Sequence, residues 1–446
     1  MPPRRAVRQR GEAYRLAARR CAAGGGRHSG RASGTRVRCG MSERFTLGVN
    51  YWPRRKAMRW WSDFDAGEVR EEFDLIAELG LHVVRIFLLW DDWQPEPDRV
   101  PTQRLRDLEA VLDAAAERGL GIDVTFFTGH MSGPNWVPRW LTSRTAPLPS
   151  PRQRVVAGSL VDTSYRNMFH DDQALAAERL LLETVVDAFH DHEGVWMWNL
   201  GNEPDLFAKP ASAAAGRAWV RDMRAVVREI DGVHPVTMGL HADSLLFDNG
   251  LRVPDVFAET DRAVMHAYPM YLPLARHPLD PDLVPFSVAL TSALAGGVPV
   301  LMEEWGGCTA APGDPSGVQT FDGPDGPYEQ FMASEEDLAA YVEAVLPKLV
   351  EVGATGAMAW CFADYHESLW NEPPCRDTGH ERFFGLVRPD GSLKPHAETL
   401  RAFAAEQPEV RPAVRSVELD VDADAYYRDP SGHAARLYRA FLGEDA

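Results

Sequence analysis

No apolar run in this 446-residue sequence approaches the roughly 20 residues needed to cross a bilayer, so no membrane-spanning helix is expected. Cysteine is scarce. Of the five, Cys21 and Cys39 fall in the first forty residues, and Cys308, Cys361 and Cys375 lack the paired spacing of a metal site. An odd number without a disulfide framework suits a reducing compartment, and a cytoplasmic location is expected. No Gly-x-Gly-x-x-Gly follows a candidate strand, which removes the fingerprint of a dinucleotide fold. No apolar stretch follows the N-terminal arginines, as a secretory signal would require. No internal repeat is visible.

Charge is unevenly placed. The first forty residues hold eleven Arg, no Lys and one acid, Glu12, and so carry a formal charge of +10. Residues 41–446 carry 36 basic and 64 acidic residues. Met41 reads as an initiator, because Met41-Ser42-Glu43-Arg44-Phe45 leads straight into the first candidate strand. The other reading of residues 1–40 is a disordered basic leader. The acidic body repels phosphate, which argues against nucleic acid and anionic membrane as partners. A neutral substrate is indifferent to that field.

From residue 46 onward short β-rich runs alternate with amphipathic stretches, the pattern of a parallel α/β fold. Eight runs read as strands: Leu47–Tyr51, Val83–Leu89, Ile122–Phe127, Val195–Leu200, Val236–Leu240, Val264–Ala267, Val298–Met302 and Gly356–Cys361. Helices are expected near 68–79, 104–118, 173–190, 213–230, 283–295, 334–351 and 395–405, with the fifth crossover the least regular. Gly80 and Gly119, each between a helix and a strand, suit helix C-terminal positions. The pattern predicts a (β/α)8 barrel over residues 41–410. Residues 411–446 are expected to add a strand around Tyr426-Tyr427 and a helix over His433–Phe441. Three connections, Thr128 to about Asp171, Gly306 to about Ser334 and Ala363 to about His396, are too long to be mere links. All leave the strand C-termini, the face where such a barrel keeps its site.

Polar residues gather at those strand ends: Arg85 in the second, His130 after the third, Asn202-Glu203-Pro204 after the fourth, His266-Ala267-Tyr268 at the sixth, Glu303-Glu304-Trp305-Gly306 at the seventh and Trp360 at the eighth. Strands four and seven lie across such a barrel, so Glu203 and Glu304 can face each other. Two carboxyl groups about 5–5.5 Å apart are what hydrolysis of a glycoside with retention needs. The set Arg85, His130, Asn202-Glu203, His266-x-Tyr268, Glu304 and Trp360 resembles the active-site signature of glycoside hydrolase family five, the cellulase and mannanase family of clan A. The resemblance covers about residues 46–400. It implies Glu203 as acid/base, Glu304 as nucleophile, Asn202 at the sugar 2-OH and Trp360 as the floor of the subsite that holds the reacting sugar.

The chemistry of the residues agrees with those roles. Arg85 can keep Glu304 ionised, and Tyr268 can orient it. Glu203 is expected to have a raised pKa while Glu304 is charged. His266 can tune Glu203, and His130 can bind a hydroxyl. Adjacent strand residues turn to opposite faces, so only one of Glu303 and Glu304 is expected to enter the barrel mouth. Taken singly, Arg85 reads as an interior ion pair, the histidines as structural and Trp360 as core. Trp52, Trp90, Trp93, Trp136, Trp140, Trp305 and Trp370 could stack on sugar rings, with half of them expected to be packing. Asp364, His366 and His380 read as subsite or surface groups rather than ligands, and neither a metal nor another cofactor is expected. The stretch Gly48-Val49-Asn50-Tyr51-Trp52-Pro53 and the double Glu look closer to mannan-active members than to cellulases. The expected substrate is therefore a β-mannoside, as short oligosaccharide or polysaccharide. A β-glucosidase, a β-galactosidase and a non-catalytic carbohydrate-binding protein are the other readings.

Overall fold

A computed structural model describes residues 44–444 of the chain. The expected leader, residues 1–40, lies outside the described residues.

Eight parallel strands form one sheet: β1 (Thr46–Asn50), β2 (Val83–Leu89), β3 (Gly121–Thr128), β4 (Val195–Asn202), β5 (Val236–Gly239), β6 (Ala263–His266), β7 (Val300–Trp305) and β8 (Gly356–Ala359). Their order is β5-β4-β3-β2-β1-β8-β7-β6. The two edges meet where His241 bridges to His266, with His266 N donating to Leu240 O at 2.8 Å and Ala242 N to His266 O at 3.0 Å. That contact brings the ends of the sheet together into the expected (β/α)8 barrel. All seven residues of β2 are buried, since one face fills the barrel and the other meets helices.

The crossover helices are α1 (Ala66–Glu78), α2 (Thr102–Ala116), α3 (Asp172–Phe189), α4 (Ala213–Arg228), α5 (Val253–Phe257), α6 (Leu283–Leu294), α7 (Glu335–Glu351) and α8 (Pro395–Ala405). Local chemistry sets their ends. Asp65 Oδ1 caps α1 by accepting from Gly67 N at 2.8 Å and Glu68 N at 3.3 Å. Gly80 stands at φ 76° beyond α1, a left-handed position that glycine takes without the Cβ penalty. The irregular fifth crossover holds two short helices, Asp243–Leu246 and α5. Among the described residues no helix is long and apolar enough to cross a membrane.

The tail differs from expectation. Tyr426 ends a short helix, α9 (Ala423–Tyr426), and α10 (Pro430–Leu442) follows; among the described tail residues there is no strand. Asp422 caps α9 through Ala425 N at 2.7 Å, and the two tyrosines act as pegs. Tyr426 and Tyr427 donate to Leu245 O and Ser244 O, each at 2.8 Å. Their aromatic character, which favours strands, is satisfied by packing against the barrel instead.

All three long connections have structure of their own. After β3 lie a small three-stranded sheet (Asn135–Trp136, Arg154–Val156 and Ser159–Val161) and a further pair, Thr142–Ser143 with Ser164–Tyr165. After β7 comes an antiparallel hairpin, Gly317–Phe321 with Tyr328–Met332. After β8 come 3-10 turns at Glu367–Leu369 and Gly379–Phe383.

Candidate active site

Side chains from six strand ends converge on a cavity of about 440 Å³ above the barrel, within the range of small-molecule sites. It is lined by Glu203, Glu304, Asn202, His130, His266, Tyr268 and Trp360, all expected at the site. Strand β4 runs two residues further than its apolar pattern suggested, to Asn202, and delivers Glu203 to the rim. Glu203 itself has φ 46° and ψ 53°, a left-handed conformation costly for a residue with a Cβ, and it caps a short helix begun by Pro204. Its amide donates to Gly239 O at 3.0 Å, which anchors the turn to β5.

Arg85, fully buried, is the hub beneath the cavity. It donates from Nη1 to Glu304 Oε1 and, at 3.1 Å, to Asn50 Oδ1. Nη2 donates to Asn202 Oδ1 at 3.0 Å and Nε to Thr125 Oγ1 at 2.9 Å. Tyr268 donates its hydroxyl to Glu304 Oε2 at 3.0 Å. Glu304 therefore has both oxygens engaged and one free face toward the cavity. Asn202 Nδ2 donates to His130 O at 3.2 Å, while His130 Nδ1 sits 3.0 Å from Asn135 Oδ1. Burial takes the His130 imidazole down to about 3, so it meets a ligand as a neutral ring. Trp360 stands edge-on to Phe87, with ring centres 5.8 Å apart.

Only Glu304 of the adjacent pair enters the mouth, as expected, but strict alternation is not the reason, because Glu303 also turns inward. Glu303 is wholly buried inside the barrel, with Oε1 accepting from Asn199 Nδ2 at 3.0 Å and Oε2 lying 2.9 Å from His266 Nε2. The register of β7 slips against β6 after Met265 and against β8 between Met302 and Trp305. The resulting irregularity breaks strict alternation where the strand reaches the site. Glu304 lines the cavity; Glu303 lies below it and does not.

Charge states also differ from expectation. Burial pushes the Glu203 carboxyl up, but His241 and His266 pull it well below the ordinary range. Burial raises Glu304 in spite of His266 and Arg85. The reason is His241, which the sequence reading left out although it directly follows the fifth strand. Its Nε2 lies 3.0 Å from both oxygens of Asp205. Burial opposes its charge, yet Asp205 and Glu203 raise it to about 10. His266, likewise buried, is raised to about 9 by Glu304, Glu203 and Glu303. Both rings are thus cations at neutral pH, and His266 donates from Nδ1 to Glu203 Oε1 at 2.9 Å.

Two expected sugar-stacking residues are elsewhere. Trp305 turns to the outer face of β7 and packs against Tyr341 of α7, with ring centres 6.1 Å apart. Trp136 is buried within the loop after β3, its Nε1 donating to Met131 O at 3.3 Å. Neither lines the cavity. Trp140 and Trp370 are held by backbone carbonyls of Gln94 and Tyr365, at 2.7 and 2.9 Å. Trp52, Trp90 and Trp93 are core. His380 does reach the cavity, together with Glu381, Arg152 and Tyr271, none of which the strand-end rule could find because they sit within loops.

Glu203, His266 and Glu304 each offer an atom within 4.8 Å of the others, a spacing that could hold a metal ion. Those same atoms already receive hydrogen bonds from Arg85, Tyr268 and protonated His266, and a dication beside two fixed cations would be repelled. The arrangement is better fitted to moving a proton on one carboxyl and holding a charge on the other.

Comparison with known proteins agrees with the geometry. The chain is 20% identical to a GH5_18 protein of Bifidobacterium longum subsp. longum solved with Manβ1-4GlcNAc, at a TM-score of 0.73 over 90% of this chain and 89% of that one. It is 26% identical to an exo-β-1,4-mannosidase from Opitutaceae bacterium strain TAV5, at a TM-score of 0.66 over 82% of this chain but 60% of that one. A 53-residue stretch is 42% identical to mannan endo-1,4-beta-mannosidase 4 of Oryza sativa subsp. japonica, covering 12% of this chain and 11% of the rice protein. The family described as cellulase (glycosyl hydrolase family 5) matches residues 47–322. With that match over more than half its length, on a barrel carrying this constellation, the chain belongs to glycosyl hydrolase family 5.

Proposed function

We propose that the chain is a retaining exo-β-mannosidase acting on short β-mannosyl oligosaccharides. The observation that carries the mechanism is the carboxyl separation. Oxygens of Glu203 and Glu304 lie within 4.8 Å of each other, close to the roughly 5–5.5 Å of retaining enzymes and short of the roughly 6.5–9.5 Å that admits a water between them. Glu304, held by Arg85 and Tyr268, attacks the anomeric carbon as the bond to the leaving oxygen breaks. Glu203 delivers a proton to that oxygen. His266 supplies it: when sugar displaces water, burial acts more strongly on Glu203, and the shared proton moves from Nδ1 to the carboxyl. In the second step Glu203 takes a proton from water, whose oxygen displaces Glu304.

The lacing of the loops supports exo action. Thr378, after β8, donates to Ser132 O, after β3, at 2.9 Å, and a Cβ on Gly133 would come within 2.6 Å of Thr378. Arg59, after β1, donates to Glu372 at 2.9 Å and to Gly158 O at 3.5 Å. These contacts join the loops after β1, β3 and β8 to one another, which supports a site closed to a polymer on that side. The mannoside reading is supported by the mannose-containing ligand and the exo-mannosidase name among the similar structures. Three buried, unpaired cysteines support the reading of a reducing, cytoplasmic setting.

Hydrolysis of aryl β-mannoside, β-glucoside and β-galactoside tests the substrate. The β-mannoside is expected to be cleaved with the highest kcat/KM, giving β-mannose as first product by NMR. Preference for another aryl glycoside would overturn the sugar assignment, and an α-product would overturn retention.

A further inference from the structure

Besides Glu203 and Glu304 the cavity lining holds two carboxyls, Asp243 and Glu381, that the double-displacement reaction does not use. Glu381, in the 3-10 turn after β8, lines the same cavity as Glu203 and Glu304, with its side chain 14% exposed. Its neighbours leave it short of partners. The Ser132 hydroxyl, which favours its charged form, lies 3.4 Å from Tyr365 OH, and His380 Nε2 lies 3.5 Å from Oε1. That histidine is already engaged, with Nε2 2.8 Å from Tyr271 OH and Nδ1 2.8 Å from Tyr328 OH. Arg152, a cation that acts on Glu381, also lines the cavity and spends one Nη1 contact on Gly133 O at 3.3 Å. A carboxyl so enclosed and so little satisfied is costly unless a ligand completes its hydrogen bonds.

Its charge state indicates which ligand. Burial, assisted by Glu203 and Glu304, pushes Glu381 up to about 8, so near neutral pH it keeps its proton. A protonated carboxyl donates one hydrogen bond and accepts others, which matches a hydroxyl and does not attract a cation. Its position indicates which hydroxyl. Ser132 and Thr378 are where the loops after β3 and β8 meet in the cavity wall, so a group bound by Glu381 lies against that junction.

We propose that Glu381, with Ser132 and Arg152, is the specificity-determining group that binds the terminal hydroxyls of the non-reducing sugar. This rests on the exo-glycosidase reading, and it assigns the residues that recognise the end of the chain. A hydroxyl that is substituted by a further sugar can no longer donate there, so the same contact enforces removal of single residues.

The test compares wild type, Glu381→Gln and Glu381→Ala on an aryl β-mannoside and on its 3-deoxy, 4-deoxy and 6-deoxy forms, with melting temperature recorded for each protein. Glu381→Ala is expected to lower kcat/KM on the parent roughly 2- to 12-fold, the scale of a lost hydrogen bond between neutral groups. On the one deoxy substrate that lacks the bound hydroxyl, it should match wild type. Glu381→Gln, which keeps a donor and an acceptor, should fall between them. Equal losses on the parent and on every deoxy form would overturn the proposal, as would no loss at all. Should wild type prefer another aryl glycoside, the sugar assignment fails alone, and the comparison holds on that sugar's deoxy series. Should wild type cleave none, the hydrolase reading fails, and the same pattern is read from Kd for the free sugar and its deoxy forms.

Discussion

Glu303 and Glu304 are consecutive in the chain, yet both carboxyls lie within the barrel, one stacked below the other and both close to Arg85. Arg85 Nη2 is 3.5 Å from Glu303 Oε2, while Nη1 binds Glu304. Neighbouring identical side chains therefore have separate tasks. Only Glu304 meets the cavity, and Glu303 joins His266 to Asn199 at the floor.

Substitution should separate them. Glu304→Ala is expected to abolish turnover while retaining the fold, and a 2-fluoro-glycosyl inhibitor should label the wild-type peptide that carries Glu304. Glu303→Ala should instead lower stability by about 3–5 kcal/mol, because it leaves buried His266 and Arg85 charges without their partner. Calorimetric melting with mass mapping of the label checks both; a label on Glu303 would reverse the assignment.

Removing the acid should depend on the leaving group. Glu203→Ala is expected to lose about 10²–10⁴-fold on substrates with poor leaving groups and far less on activated aryl glycosides. Azide should restore turnover of the latter and yield the β-glycosyl azide. An α-azide product would mean that no covalent intermediate precedes it.

Protonation of His266 sets an alkaline limit. Because its pKa is raised to about 9, the ring is charged below that pH and loses its proton as pH rises through it. The kcat/KM profile should therefore fall through about pH 9, and the stability contributed by the His266 charge should be lost over the rise from its ordinary pKa to about 9. His266→Gln should remove this limb and cost about 10- to 150-fold in kcat/KM, the scale of a lost charge-assisted hydrogen bond. An unchanged alkaline limb in the variant would show that another group is responsible.

Away from the site, Glu178 should make stability fall with pH. It is buried under α4, where Oε2 accepts from Trp219 Nε1 at 2.9 Å, and burial raises its pKa to about 8. A folded pKa above the unfolded one means that the stabilisation is complete below about 4.5 and is lost as pH rises toward 8. Glu178→Gln keeps an acceptor for Trp219 without the charge. Its stability relative to wild type should be lowest below about pH 4.5 and rise toward pH 8, by up to a few kcal/mol at about 1.4 kcal/mol per unit, as read from melting curves. Parallel melting curves across that range would refute this.

Tryptophan substitutions should divide by location. Trp360→Ala, at the cavity, should raise KM or lower kcat for sugars. Trp136→Ala should cost about 3–5 kcal/mol of stability, as loss of a large buried ring does, and leave the sugar dependence of the residual activity unchanged. Thermal melting beside steady-state kinetics distinguishes the two, and a changed sugar preference in Trp136→Ala would return that ring to the site.

Most of the barrel could be read from local pattern. Apolar runs of strand length between amphipathic stretches mark β1–β8, and polar residues placed where those runs end mark Arg85, Asn202-Glu203, His266, Tyr268 and Glu304. Those signals are local because burying both faces of a strand and one face of a helix imposes its own periodicity on the chain. The tail tyrosines misled for the same reason: β-propensity is local, whereas the carbonyls of Ser244 and Leu245 that hold them are about 180 residues away.

What the sequence by itself determined, then, is the order of strands and helices and the residues that can meet at one mouth. Only the tertiary structure decided which of them do. The register slip around β7 turned Glu303 inward against strict alternation, and the outward face of that strand took Trp305 into the core. Closure of β5 on β6 set His241 beside Asp205 and Glu203 and reversed the expected charge of the acid. Meeting of two loops far apart in the chain brought Glu381 and Ser132 into one cavity. Each depends on packing and fields between distant segments, which act through space and leave no periodic mark along the chain.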